Sequence, residues 1–324
     1  MEADNSPTTR AADLLQKLRN EIGKALVGQT AVVDQIIAAL VASGHVLIEG
    51  VPGLGKTLLV RAMAQALQLR YGRVQFTPDL MPSDITGHAV LDAETHELRI
   101  VRGPIFTNAL LADEINRAPA KTQSSLLEVM QEYQVTLEGQ TIPLPRPFMV
   151  LATQNPLETE GTYPLPEAQL DRFLLKVLID YPPVDEEVAT VTRVTTNHTG
   201  DQLPLDAVRP CLSERAVLTL QQLAARQRVD PKVLEYAVAI VRATRDWPGL
   251  AIGAGSRGAI ALVRTSRAIA LMDGRDYVTP DDIKRIALPA LRHRVGLSPD
   301  ALMEGRRESD VLDAVIESVP APRV

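Results

Sequence analysis

The 324-residue chain has one cysteine, one tryptophan and only 3% aromatic residues, and each scarcity removes a class of function. Cys211 has no second cysteine to pair with, so the chain holds no internal disulfide, which suits a cytoplasmic protein. So few rings leave little for stacking on the bases of a single strand. Positive charge is also short. Lys and Arg number 34 against 40 Asp and Glu, a net −6, whereas nucleic-acid affinity comes mainly from neutralising phosphates. The longest apolar-leaning run, 36-IIAALVASGHVLI-48, is broken by Ser43, Gly44 and His45 and is too short to span a bilayer. The opening MEADNSPTTR lacks the basic start and apolar stretch of a signal peptide, so neither export nor membrane insertion is expected. The five histidines and Cys211 show no metal-ligand spacing.

Apolar residues are plentiful, at 45%, and the length suits two domains. The spacing predicts helices over 12–24 and 30–42. Short apolar runs follow at 45–49, 74–77, 108–113, 148–154 and 173–179, alternating with helical patterns that include 56–68 and 120–134. Strands that are continuously apolar between helices predict an α/β fold, with a parallel sheet covered on both faces. Segments 88–101 and 134–144 read as hairpins, the second with Glu138-Gly139 at its turn. After Tyr181-Pro182-Pro183 the strand pattern stops. The expected division is therefore 1–183 and a helical 184–324, where Thr279, Pro280 and Asp282 mark one helix start.

The chemistry is concentrated in 49-EGVPGLGKTLLV-60, which lies between the first strand and a helix. Gly50-x-x-x-x-Gly55-Lys56-Thr57 is the P-loop pattern. Glycines let successive backbone N–H groups turn toward phosphate oxygens, Lys56 adds a point charge, and Thr57 offers a hydroxyl to Mg²⁺. The phosphate-binding candidates are Gly50, Pro52, Gly53, Leu54, Gly55, Lys56, Thr57 and Leu58. A dinucleotide site is excluded because the glycines fall as G-x-x-G-x-G and a lysine stands where pyrophosphate would lie. A GTPase is excluded because no asparagine precedes a lysine. About 55 residues on, strand 108–113 ends in Asp113-Glu114. Asp113 would hold Mg²⁺, and Glu114 would orient and deprotonate a water. Alone, that pair is also an ordinary solvated acidic turn. Asn155, where strand 148–154 ends, is placed to bond the γ-phosphate or the water, though Asn-Pro is equally a turn former.

Together these segments resemble the MoxR family of AAA+ ATPases. The matching stretches are 74-VQFTPDLMPSDITG-87, 103-GPIFTNALLADEINRA-118, 153-TQNPLETEGTYPLPEAQLDRFLLK-176 and 276-DYVTPDDI-283, within a likeness running from about Gly28 to His293. The resemblance implies a five-stranded sheet of order 5-1-4-3-2, an all-helical lid, and ATP with Mg²⁺ as cofactors. It also implies a homo-oligomeric ring, usually of six subunits, with ATP between neighbours. The two hairpins match the family's helix-2 insert and pre-sensor hairpin, and Gly28-Gln29 its adenine-side segment. Arg172 matches an arginine finger that reaches the neighbour's γ-phosphate; the alternative is an arginine that caps a helix end. Arg257 matches the lid arginine that closes on nucleotide. Around it the family's Gly-Ala-Ser-Pro-Arg-Ala reads Gly253-Ala254-Gly255-Ser256-Arg257-Gly258, which removes a proline from the helix start and adds a poor helix former. Arg117 faces either a neighbouring subunit or solvent.

The function expected from the resemblance is an ATP-hydrolysing ring that remodels or assembles a protein client. A partner carrying a von Willebrand factor A domain is expected. A nucleic-acid motor is the rival, since related rings are helicases that grip phosphate with basic hairpins. Here the hairpins carry Asp92, Glu94, Glu97 and Glu138 instead. A nucleotide-gated scaffold with little hydrolysis is a third reading, opposed by the full set Lys56, Asp113, Glu114, Asn155 and Arg172.

Overall fold

The computed structural model describes residues 6–51, 53–92, 96–156, 158, 161–196 and 203–323. Helices α1 (Pro7–Gly23) and α2 (Thr30–Val41) precede strand β1 (Val46–Glu49). Ser6 caps α1, its hydroxyl accepting from the Thr9 N–H, and Pro7 fills the first position, where no N–H is needed. Then come α3 (Lys56–Ala66), β2 (Tyr71–Gln75), α4 (Pro82–Thr86), β3 (Ala109–Asp113), α5 (Ala120–Glu132), β4 (Met149–Gln154), α6 (Glu167–Leu170) and β5 (Leu175–Leu178). The five strands form one parallel sheet of order β2-β3-β4-β1-β5, the topology the resemblance implies.

Both faces of the sheet are covered, which is why its central strands are apolar without alternation. In β1, Leu47 enters the core cluster on one side while Val46 and Ile48 enter the cluster on the other. Strand β3 divides likewise, with Leu110 and Ala112 against Ala109 and Leu111. Because every strand runs the same way, the segments after Glu49, Asp113 and Gln154 emerge at one edge of the sheet. Ser43–His45 and Phe173–Leu174, which lead into β1 and β5, lie at the other.

The expected hairpins pair antiparallel, Gly87–Leu91 with Leu98–Arg102 and Gln134–Leu137 with Gln140–Pro143. Glu94 lies outside the described residues. Beyond β5 the chain is mainly helical: α7 (Val184–Thr195), α8 (Glu214–Ala225), α9 (Pro231–Ala243), α10 (Ser256–Met272), α11 (Pro280–Leu291), α12 (Pro299–Met303) and α13 (Glu308–Ser318). Central α10 packs on α8, α9 and α11 and also on α1 and α2, while α11 packs against β5. One apolar cluster therefore runs through both halves, from Leu18 and Ile37 to Leu262 and Ile286. No helix among the described residues is long and apolar enough to cross a membrane.

Candidate functional site

A cavity of about 710 Å³ opens where the strands end, lined by Gly53–Leu58, Asp113, Glu114, Thr153 and Asn155. Gly53 and Gly55 have φ of +87° and +77°, and a Cβ at either would meet nothing within 4 Å. Glycine is required there by the left-handed backbone, not by crowding. At Gly50 the reason is different: a Cβ would lie 2.5 Å from the Ile179 carbonyl oxygen, so glycine lets the loop pass close to the end of β5. Helix α3 begins at Lys56, directing its unpaired N–H groups and the positive end of its dipole at the cavity. The Lys56 ammonium donates to the Gly50 carbonyl. Burial pushes its pKa down, against the attraction of Asp113, Glu114 and Glu49. Pro52 lies outside the described residues.

The acidic pair is held by polar residues that the sequence reading did not single out. Thr153 Oγ1 donates to Asp113 Oδ1 at 2.6 Å and accepts the Glu114 N–H at 2.9 Å, joining β4 to both acids. Arg73 Nη2 donates to Asp113 Oδ2 at 2.7 Å, and Gln75 Nε2 to Glu114 Oε2 at 2.7 Å. Arg73 and Gln75 are alternate residues of β2 and so share a face, the one signal in the sequence that could have grouped them. Glu114 has φ +55° and ψ +51°, a conformation few non-glycine residues adopt, and one that recurs at functional sites where surrounding bonds enforce it. Arg117, left between neighbour and solvent by the sequence, donates to Glu114 Oε2 at 3.1 Å and lies 3.3 Å from a Glu158 oxygen. Asn155, 6% exposed, completes the wall.

Thr57 and Asp113 both present hard oxygens to this cavity. Among the described residues no group of three or more His, Cys, Asp or Glu could hold a metal. The donor set fits Mg²⁺, which keeps several waters and is shared with substrate phosphates, and does not form an all-protein cage.

The far end of the cavity is apolar, formed by Ala25, Leu26 and Val27 between α1 and α2, with Tyr181, Val191 and Val194 from the start of the helical half. Gln29 also lines it. Gly28, at φ +74°, stands against Glu186, whose Oε2 would be 1.9 Å from an added Cβ. The sequence pointed to Gly28-Gln29 but not to α7, whose valines acquire a role only once the helix folds over the loop.

Arg172 and Arg257 are elsewhere. They share a second cavity of about 290 Å³ with His45, Asp171, Arg264 and Arg294. That cavity lies beside Ser43–His45 and Phe173–Leu174, at the edge of the sheet opposite the P-loop. Arg257 Nη1 is 3.6 Å from Asp171. The resemblance implies that Arg257 closes on nucleotide; it does not line the P-loop cavity. The cause is packing. With α10 seated on α1, α2 and α11, its first turn faces the 171–174 turn instead. Gly258 assists, since a Cβ there would come within 3.0 Å of Leu291 Cδ2 on α11.

Comparison with known proteins agrees with this architecture. Residues 45–175 match the model of the ATPase family associated with various cellular activities, and residues 242–315 match an AAA lid domain. Chaperone MoxR1 of Mycobacterium tuberculosis is 42% identical over 96% of this chain and 83% of its own length. The uncharacterized protein YeaC of Bacillus subtilis is 44% identical over 95% of both chains. A crystal structure from Cytophaga hutchinsonii, described as a candidate ATPase, superposes with a TM-score of 0.89 at 38% identity, covering 98% of this chain and 97% of that one.

Proposed function

This chain belongs to the MoxR family of AAA+ ATPases, and from that premise we propose that it hydrolyses Mg²⁺-ATP at a site completed by a second subunit. The observation that carries the proposal is the division of labour across the sheet. Lys56, Thr57, Asp113, Glu114 and Asn155 line one cavity, while Arg172 and Arg257 stand together at the other edge. On this reading 1–183 is the catalytic core and 184–324 the lid.

Lys56 and the N–H groups of residues 53–57 hold the phosphates, and the apolar end between Leu26 and Val194 receives the base. Thr57 and Asp113 would hold Mg²⁺, whose charge offsets that of the phosphates. Glu114, fixed by its backbone and by Gln75 and Arg117, takes the proton of the attacking water. Asn155 orients that water or the γ-phosphate. Arg172, unable to reach its own nucleotide, meets the neighbour's γ-phosphate in a closed ring, usually hexameric in this family, where such an arginine contributes about 10³–10⁵ in rate. Arg257, beside it, reaches the same nucleotide. The work is directed at a protein client in the cytoplasm, as the chaperone name of the M. tuberculosis relative suggests. A von Willebrand factor A domain protein is the expected partner.

Glu114→Gln tests the assignment. The variant is expected to bind Mg²⁺-ATP with wild-type affinity in calorimetry and to release phosphate at least about a hundredfold more slowly. Wild-type turnover would move the general base to another residue.

A further inference from the structure

Arg294, just beyond α11, is buried, with its side chain 3% exposed. Its guanidinium is directed almost entirely at the turn that carries Arg172. Nε donates to Asp171 Oδ1 at 2.7 Å. Nη2 donates to the carbonyls of Phe173 at 2.7 Å and Asp171 at 3.3 Å. Nη1 donates to the Leu174 carbonyl at 3.2 Å and to the Ala290 carbonyl of α11. His293 adds a second fastening, its Nε2 3.0 Å from the Phe173 carbonyl. A carbonyl only accepts, so Nε2–H is the donor, and burial holds the pKa of His293 well below its ordinary value. Asp171 meanwhile presents its other oxygen to Arg257. The residues on both sides of Arg172 are thus bound to the helical half.

Cohesion alone does not account for an arginine at this place. Removing a guanidinium from water is costly, and apolar side chains of similar volume often hold a fold at least as well as a buried ion pair. What arginine supplies is a rigid planar fork of five donors that fixes several acceptors in one geometry. Here those acceptors are the carboxylate of Asp171 and the carbonyls of residues 171, 173 and 174.

We infer that Arg294 is a positioning residue for Arg172, fixing the 171–174 turn to the helical half so that the Arg172 side chain projects at a set angle toward the neighbouring subunit's nucleotide. The inference rests on the reading of Arg172 as acting on a neighbour.

The test uses full-length Arg294→Lys, which keeps the charge and removes the fork. Steady-state kcat is expected to fall about ten- to a hundredfold, the effect of displacing a catalytic group by about an ångström. The KM for ATP should stay within about twofold, because the P-loop cavity is untouched. Combining Arg294→Lys with Arg172→Ala should slow turnover no further than Arg172→Ala alone, since both act through one group. Mixing Arg294→Lys with Lys56→Ala should restore part of the activity, because the second protein brings an intact Arg172. If Arg294→Lys melts below the assay temperature, the isosteric Asp171→Asn carries the same expectations. Wild-type kcat in the variant, a double variant markedly slower than Arg172→Ala, or failure of the mixture would overturn the inference. If Arg172→Ala itself turns over normally, the reading of Arg172 fails first, and that result is separate from any effect at Arg294.

Discussion

Thr153 shows what single residues add beyond a motif. It is 1% exposed, and its one hydroxyl holds Asp113 on one side and the Glu114 backbone on the other. Thr153→Val keeps the shape and removes both bonds, leaving the Glu114 N–H without its acceptor. We expect a loss of about 1–3 kcal/mol in urea unfolding, the cost of an unmade buried bond. The variant should also need more Mg²⁺ for half-maximal turnover, since the carboxylate of Asp113 loses its orientation. Lys56→Ala should weaken ATP binding markedly in calorimetry, because a charge-assisted phosphate contact in a partly desolvated site is lost; equal affinity would end the P-loop assignment. At this scale legibility was uneven. Lys56, Thr57, Asp113 and Glu114 could be read from the sequence because each belongs to a pattern with fixed local spacing. Thr153, Arg73, Gln75 and Arg294 could not, since their partners lie tens of residues or more away and only the folded sheet brings them together.

Elements were legible where burial is two-sided. Central β1, β3 and β4 begin and end within a residue of expectation. Strand β2 is displaced, expected at 74–77 and found at Tyr71–Gln75. It is an edge strand, so Tyr71, Gly72 and Arg73 need not be apolar, while fully buried Phe76 lies just past the strand and bonds its N–H to the Asp113 carbonyl. Helix α11 starts as the sequence indicated, with Thr279 and Asp282 forming a reciprocal cap. Burial pushes the Asp282 carboxyl up, but bonds from Arg275 and Thr279 outweigh it and hold the pKa below the ordinary value. A depressed acid pKa stabilises the fold above the unfolded value, near 4, and that contribution is lost as pH falls through the folded value. Asp282→Asn should therefore lower stability by about 2–4 kcal/mol at pH 7, since it leaves the Arg275 charge without its buried partner. The gap from wild type should narrow in acid unfolding below about pH 4. A gap independent of pH would mean the carboxylate charge contributes nothing. The hairpins make an opposite kind of prediction. Glu97 and Glu138 are exposed, so changing both to lysine should create DNA binding that weakens steeply with salt, whereas the unaltered chain is expected to bind none. Tight, salt-sensitive DNA binding by the unaltered chain would favour a nucleic-acid motor.

At the scale of the whole molecule, the two halves share one apolar cluster, and Arg257 lines the cavity of Arg172 and not that of the P-loop. Neither feature was legible from the motifs. The resemblance supplied a role for Arg257, but its position depends on how α10 packs against α1, α2 and α11, and no local pattern encodes that. On the proposed reading each subunit carries half of a catalytic site at each edge of its sheet, and hydrolysis is a property of adjoining copies. Complementation in mixed rings measures this directly. Arg172→Ala and Lys56→Ala should each be nearly inactive alone, the first binding ATP normally and the second weakly. Mixed in equal amounts, they place the intact Arg172 of one beside the intact P-loop of the other at some interfaces, and phosphate release should recover to a measurable fraction of wild type. A mixture that stays inactive while native mass spectrometry records mixed assemblies would contradict the shared site.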